Sequence, residues 1–130
     1  MNKALSLEKN KNMKIILTGY MFSIAITLIL LFIYATILSK TNVKETTITP
    51  VVMGITASSI LIGSILSCIK IKKNGILNGI CIGTIYFITM YLLSSCVGNS
   101  YVFSLKAFEM LLLEITFGGI GGIMGVNIGK

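Results

Sequence analysis

Histidine, arginine and aspartate do not occur in this chain. Their absence removes most of the residue types that run acid–base and nucleophilic chemistry, because a nucleophile needs a base held beside it. The usual pairs cannot be assembled, and an enzyme is not expected. The three cysteines, Cys68, Cys81 and Cys96, have no zinc-type spacing, and no histidine exists to complete a metal set. Each lies in or at the end of an apolar run, where cysteine packs as a small hydrophobe. Neither a metal nor another cofactor is expected. Without arginine, bidentate contact to guanine or phosphate is lost. That argues against a nucleic-acid partner, although the net charge is +7.

Charge itself is scarce. Charged residues make up 12% of the 130, and hydrophobic residues 55%. A soluble domain carries about 25% charged residues to cover its surface. Here the charges fall in short segments between long uncharged runs, the pattern of a membrane protein with polar loops. The positive charge is all lysine, and the lysines flank the apolar runs. The expected partners are therefore the lipid bilayer and anionic lipid headgroups at the lysines.

What is present divides into four apolar runs. Residues 1–14 form a basic tail with four lysines, and the next charge after Lys14 is Lys40. The run 15–39 exceeds the roughly 20 residues that a spanning helix needs. It is too long for a signal peptide, and no A-x-A-like end follows it. A polar loop covers 40–49, and Pro50 suits the first turn of a second span over about 50–69. Within that span Gly54 with Ser58, and Ser59 with Gly63, are small pairs four apart that permit close helix contact. The basic segment Lys70–Gly75 contains Asn74-Gly75, a tight-turn signal. A third span covers about 76–97, with Gly75, Gly79 and Gly83 at a spacing of four and Tyr86, Tyr91 and Tyr101 towards its far end. The uncharged turn Gly98–Ser104 leads into a fourth span over about 105–128.

These runs predict an all-α integral membrane protein, a single domain of four transmembrane helices. Eight lysines, Lys3, Lys9, Lys11, Lys14, Lys70, Lys72, Lys73 and Lys130, fall on one side of such a bundle. Lys40, Lys44 and Lys106 fall on the other. The positive-inside rule then places both termini in the cytoplasm. The two halves show no residue-level match and enter from the same side, so an inverted repeat is excluded.

The fourth span is the unusual one. It holds Glu109 and Glu114, two of the four acidic residues, and six glycines between Gly118 and Gly129. At 100° per residue, with Glu114 at zero, Gly118 lies at about +40°, Gly121 at about −20°, Gly125 at about +20° and Gly129 at about +60°. Glu114 thus heads a stripe of small residues, where another helix backbone can approach closely. Gly122, like Gly75, Gly79 and Gly83, is a further helix-packing candidate. Glu109 falls on the opposite side near the outer end, within reach of Lys106. Glu114 sits about 13 Å down the helix, near mid-bilayer, with no lysine at its depth. A neutral acid is expected there, bonded to hydroxyls of Thr56, Ser58 or Ser59 on the second span, or of Tyr86 or Thr89 on the third. An intramembrane acid is by default a candidate proton or ion site, and otherwise a packing group between helices or protomers. GGIGGIMG lacks the lysine and the strand-to-helix setting of a nucleotide loop.

The length, four spans, basic N-terminus and the ending GGIGGIMGVNIGK resemble a family of small, uncharacterised four-span membrane proteins of Firmicutes with a glycine-rich C-terminal helix. Its members are most alike in a G-V-N-like run, here Gly125-Val126-Asn127. The resemblance implies no established activity and no site residues. Its genes often neighbour a protein-translocase accessory subunit, which implies a role beside the export machinery.

Two functional classes follow. One is a non-enzymatic accessory or structural subunit, as a homo-oligomer or within a larger membrane complex. The other is a small oligomeric proton- or ion-coupled transporter or channel using Glu114. The chain is similar in size and span count to small multidrug transporters, but those carry their glutamate in the first span, which here is uncharged. The polar motif of fluoride channels is missing, and nothing specific supports a holin. The lysine distribution makes a direct prediction: green fluorescent protein fused after Lys130 should fluoresce, and alkaline phosphatase fused there should be inactive. The reverse pattern would invert the topology.

Overall fold

The computed structural model describes residues 1–96 and 105–130. Val97, the turn Gly98–Ser104 and Tyr101 lie outside the described residues. Four helices follow in order: α1 Asn2–Lys40, α2 Glu45–Ile71, α3 Gly75–Cys96 and α4 Leu105–Ile128. Each is long and apolar enough to cross a membrane.

Two helices begin earlier than their hydropathy suggests. Residues 2–14 are helical and continuous with the first apolar run, so that α1 runs 39 residues without a break. Ala4, Leu5, Leu7, Glu8 and four lysines are good helix formers, and no glycine or proline intervenes. At 1.5 Å per residue α1 is about 58 Å long, well beyond the roughly 30 Å hydrocarbon layer. In α2, Pro50 is not in the first turn; the helix starts at Glu45 and Pro50 lies inside it. Glu45 in the first turn suits the positive end of the helix dipole. Pro50 has no N–H, so the carbonyl of Thr46 lacks its usual donor.

The basic turn between α2 and α3 is tight because two residues adopt left-handed backbone. Lys72 has φ 59° and Asn74 φ 48°. The Lys72 N–H closes α2 on the Cys68 carbonyl at 3.0 Å. Asn78 then folds back, its Nδ2 donating to the Lys73 carbonyl at 2.9 Å. Lys73 also pairs with Glu8 of α1 at 3.5 Å. Both side chains are exposed, so this pair contributes at most about 1 kcal/mol.

α4 lies between α2 and α3, while α1 packs on α2 and less extensively on α3. α1 makes no close backbone approach to α4 among the described residues. The core is glycine and hydroxyl more than bulk. Its buried apolar side chains are Ala57, Ile60, Cys68, Ile71, Ile82 and Tyr86. Large apolar side chains, among them Phe22, Phe32, Leu77 and Leu93, point outwards. That inversion suits lipid on the outside, since acyl chains solvate leucine and phenylalanine as well as a core does.

Close approach explains the glycines. A Cβ on Gly79 would collide with the Gly118 carbonyl, and one on Gly122 with the Gly75 carbonyl. Gly54 is the opposite case: nothing among the described residues lies within 4 Å of its Cβ position. Gly79→Val should therefore destabilise the fold by about 1–3 kcal/mol or more. Gly54→Ala should be neutral or stabilising by about 0.5–1 kcal/mol, the usual helical gain. Unfolding midpoints in mixed detergent micelles check both; equal effects would contradict the packing.

Candidate functional site

The glycines of α4 do not form one stripe. They form two rows, each with a period of four, facing different helices. Gly118 and Gly122, with the backbone of Glu114, face α3, where Gly83 meets the Glu114 carbonyl, Gly79 meets Gly118 and Gly75 meets Gly122. The numbering runs in opposite senses, so α3 and α4 are antiparallel. Gly121, Gly125 and Gly129 face α2. Cβ atoms there would stand 2.7 Å from the Leu61 carbonyl oxygen, 2.6 Å from that of Ile65 and 2.6 Å from that of Ile69. Here the numbering rises together, so α2 and α4 are parallel. The single face expected from 100° steps is wide enough to serve two neighbours, and the structure divides it between them. The candidates Gly75, Gly79, Gly83, Gly118, Gly121, Gly122, Gly125 and Gly129 all meet backbone across these two seams.

Glu114 is carried into the interior by the row that binds α3. It is 5% exposed, and its Oε2 is buried without a hydrogen-bond partner. The hydroxyl partners expected from its depth are engaged elsewhere. Thr56 donates to the Met53 carbonyl, Ser58 to Gly54 and Ser59 to Ile55. Thr89 donates to the Ile85 carbonyl at 2.9 Å. A hydroxyl on a helix reaches the carbonyl three or four residues back more easily than a group on another helix. That local competition leaves Glu114 unpaired.

Tyr86 belongs to a second set of contacts that links α1 to α3. Thr27 donates to the Ser23 carbonyl at 2.8 Å, so it can accept from the Tyr86 hydroxyl, also at 2.8 Å. Thr89, already donating to Ile85, accepts from the Tyr20 hydroxyl at 2.6 Å. The two pairs are reciprocal: each helix supplies one tyrosine and one threonine. Gly19, Ser23 and Thr27 are the buried residues of α1. Gly19 packs on Ser67, and Ser23 fills the space beside Gly63. Ser67 Oγ donates to the Ile15 carbonyl at 3.0 Å. This row escaped the reading of the first span as uniformly apolar; its signal is the spacing of 19, 23 and 27.

Other expectations fare differently. Glu109 is exposed, and its pairing with Lys106 is not formed. Gly54 and Ser58 point away from the bundle, whereas Ser59 and Gly63 are buried in it. Cys68 is buried, with Sγ 3.8 Å from the Gly75 carbonyl, while Cys81 and Cys96 lie on the outside. Two further buried hydroxyls, of Tyr34 and Ser64, have no partner among the described residues. Two grooves open beside α1, one against α2 and one near Ile85 of α3, and Glu114 lines neither.

A buried carboxyl with an unmatched oxygen lowers stability by about 1–3 kcal/mol. Glu114→Met, close in shape and free of that oxygen, should therefore raise the unfolding midpoint by a comparable amount. A lower midpoint would mean that Glu114 bonds helices together after all.

A family model described as "Protein of unknown function (DUF3792)" matches residues 12–125, nearly the whole chain. No curated protein and no solved structure matches it.

Proposed function

We propose a role that starts from one premise: the chain belongs to the DUF3792 family, whose function is unknown. It is a four-span protein of the bacterial plasma membrane with both termini in the cytoplasm. It acts as a non-enzymatic accessory subunit, docking against a helix of another membrane protein or of a second copy. One observation carries this reading. Gly54 and Ser58 form a small-residue step on the outside of α2, with open space at Gly54. Every glycine on α4 that packs against α2 or α3 is closed within the chain, but this step is not. In a bilayer such a step lets a second helix approach closely. The four lysines before residue 15, with those of the 70–73 turn, would hold that face at a fixed depth against anionic headgroups.

A second reading rests on a different observation, the buried, unpartnered Oε2 of Glu114. A buried acid kept at a cost to stability is what a proton- or ion-coupled transporter requires. The supply of hydroxyls around Tyr86, Thr27, Tyr20 and Thr89 would form its polar surroundings.

The two readings separate experimentally. Purified in mild detergent, the chain should carry a stable partner or run as an oligomer. Gly54→Ile should abolish that association without lowering the unfolding midpoint. A monodisperse monomer without partner would end the accessory reading. The transporter reading predicts proton or cation flux in proteoliposomes that Glu114→Gln abolishes, and absence of flux would end it.

A further inference from the structure

The groove between α1 and α2 has a chemical polarity along its length. Gly19 and Ser67, both buried, form its floor. Phe22 and Leu66, about half exposed, form its sides. Its volume is about 200 Å³, and its surface is almost wholly apolar. Thr18 and Lys70 supply the polar side chains at its rim. The Thr18 hydroxyl already donates to the Lys14 carbonyl at 2.8 Å. Lys70 is exposed and forms no ion pair among the described residues.

The register of the two helices fixes which end of the groove Lys70 occupies. Ser23 meets Gly63, Gly19 meets Ser67, and Ser67 bonds to Ile15. Going back along α1 is therefore going forward along α2, and Lys70 stands at the end towards the start of α1. Lys14 and Lys11 line the other groove beside α1. Lys70 is long enough to reach from an apolar groove to an interface. An apolar channel ending in one cation that no carboxylate pairs matches one class of molecule.

We propose that this groove is a binding site for an anionic phospholipid. One acyl chain lies over Gly19 and Ser67 between Phe22 and Leu66, and the phosphate is held by Lys70. The inference rests on the membrane-spanning reading above, though not on the accessory role. It differs from general attraction to a charged surface in being local. Discrimination between headgroups should be strong at this groove and weak elsewhere on α1.

The chain contains no tryptophan, so a single reporter can be placed without background. Phe22→Trp puts it in the groove. Phe32→Trp puts it about 15 Å along the same helix, on an exposed lipid-facing position. Each variant is reconstituted in brominated phosphatidylglycerol or brominated phosphatidylcholine, diluted with unbrominated lipid. At position 22 the anionic lipid should quench with roughly fivefold higher relative affinity, the effect of one lysine near a surface. At position 32 the ratio should be close to one. Lys70→Gln should bring the position-22 ratio towards one, and Lys70→Arg should restore it. Equal ratios at both positions, or a ratio unchanged by Lys70→Gln, would overturn the site. If neither brominated lipid quenches either reporter, the membrane-spanning reading fails and the site with it.

Discussion

The structure depends on backbone meeting backbone along both sides of α4. Lipid tails are as apolar as leucine, so the hydrophobic effect does not drive helices together inside a bilayer. What remains is dispersion, which rises steeply as atoms come into contact. Gly75, Gly79 and Gly83 against Gly118 and Gly122 remove the side chains that would hold α3 and α4 apart. Gly121, Gly125 and Gly129 do the same towards α2, where the partner side chains include Ser64 and Cys68. Three helices therefore form one unit with little apolar bulk between them, and their large side chains are free to face outwards.

Polar groups inside this unit follow from the same closeness. With backbones in contact, little space is left for side chains to reach across, and the buried hydroxyls of Thr56 and Ser59 turn to carbonyls of their own helix. Glu114 makes no such local bond, and its Oε2 is left without a partner. Its unmatched oxygen is a consequence of the packing that buries it. The long side chains escape the constraint. Tyr86 and Tyr20 span the wider gap between α1 and α3 and bond to threonines there.

α1 stands apart in this arrangement. It meets the rest through the row Gly19, Ser23 and Thr27, the two tyrosine bonds, the Ser67–Ile15 bond and the exposed Glu8–Lys73 pair. Its other faces are open, leaving grooves on either side whose rims carry Lys70 on one and Lys11 and Lys14 on the other. Functional possibilities divide along this boundary. The sealed unit of α2, α3 and α4 holds Glu114, while the surfaces around α1 and the outer face of α2 are exposed.

Much of this is legible in the order of the amino acids. The absence of arginine, histidine and aspartate and the segregation of lysine define four apolar helices, because a bilayer penalises charge in proportion to its depth. The period-four glycines identify which helices approach closely, because only a missing Cβ permits it. The helix starts at Asn2 and Glu45 are less legible, since hydropathy reports the apolar run and not the helix that carries it. The fate of Glu114 lies beyond sequence altogether. Its depth follows from counting residues, but its lack of a partner depends on whether Thr56, Ser58, Ser59 and Thr89 turn inwards or bond at home. Sequence by itself determined that α4 is a packing helix bearing one buried acid. Only the tertiary structure decided that its glycines serve two neighbours and that the acid is left unmatched, because both depend on distances between helices that no spacing along one chain encodes.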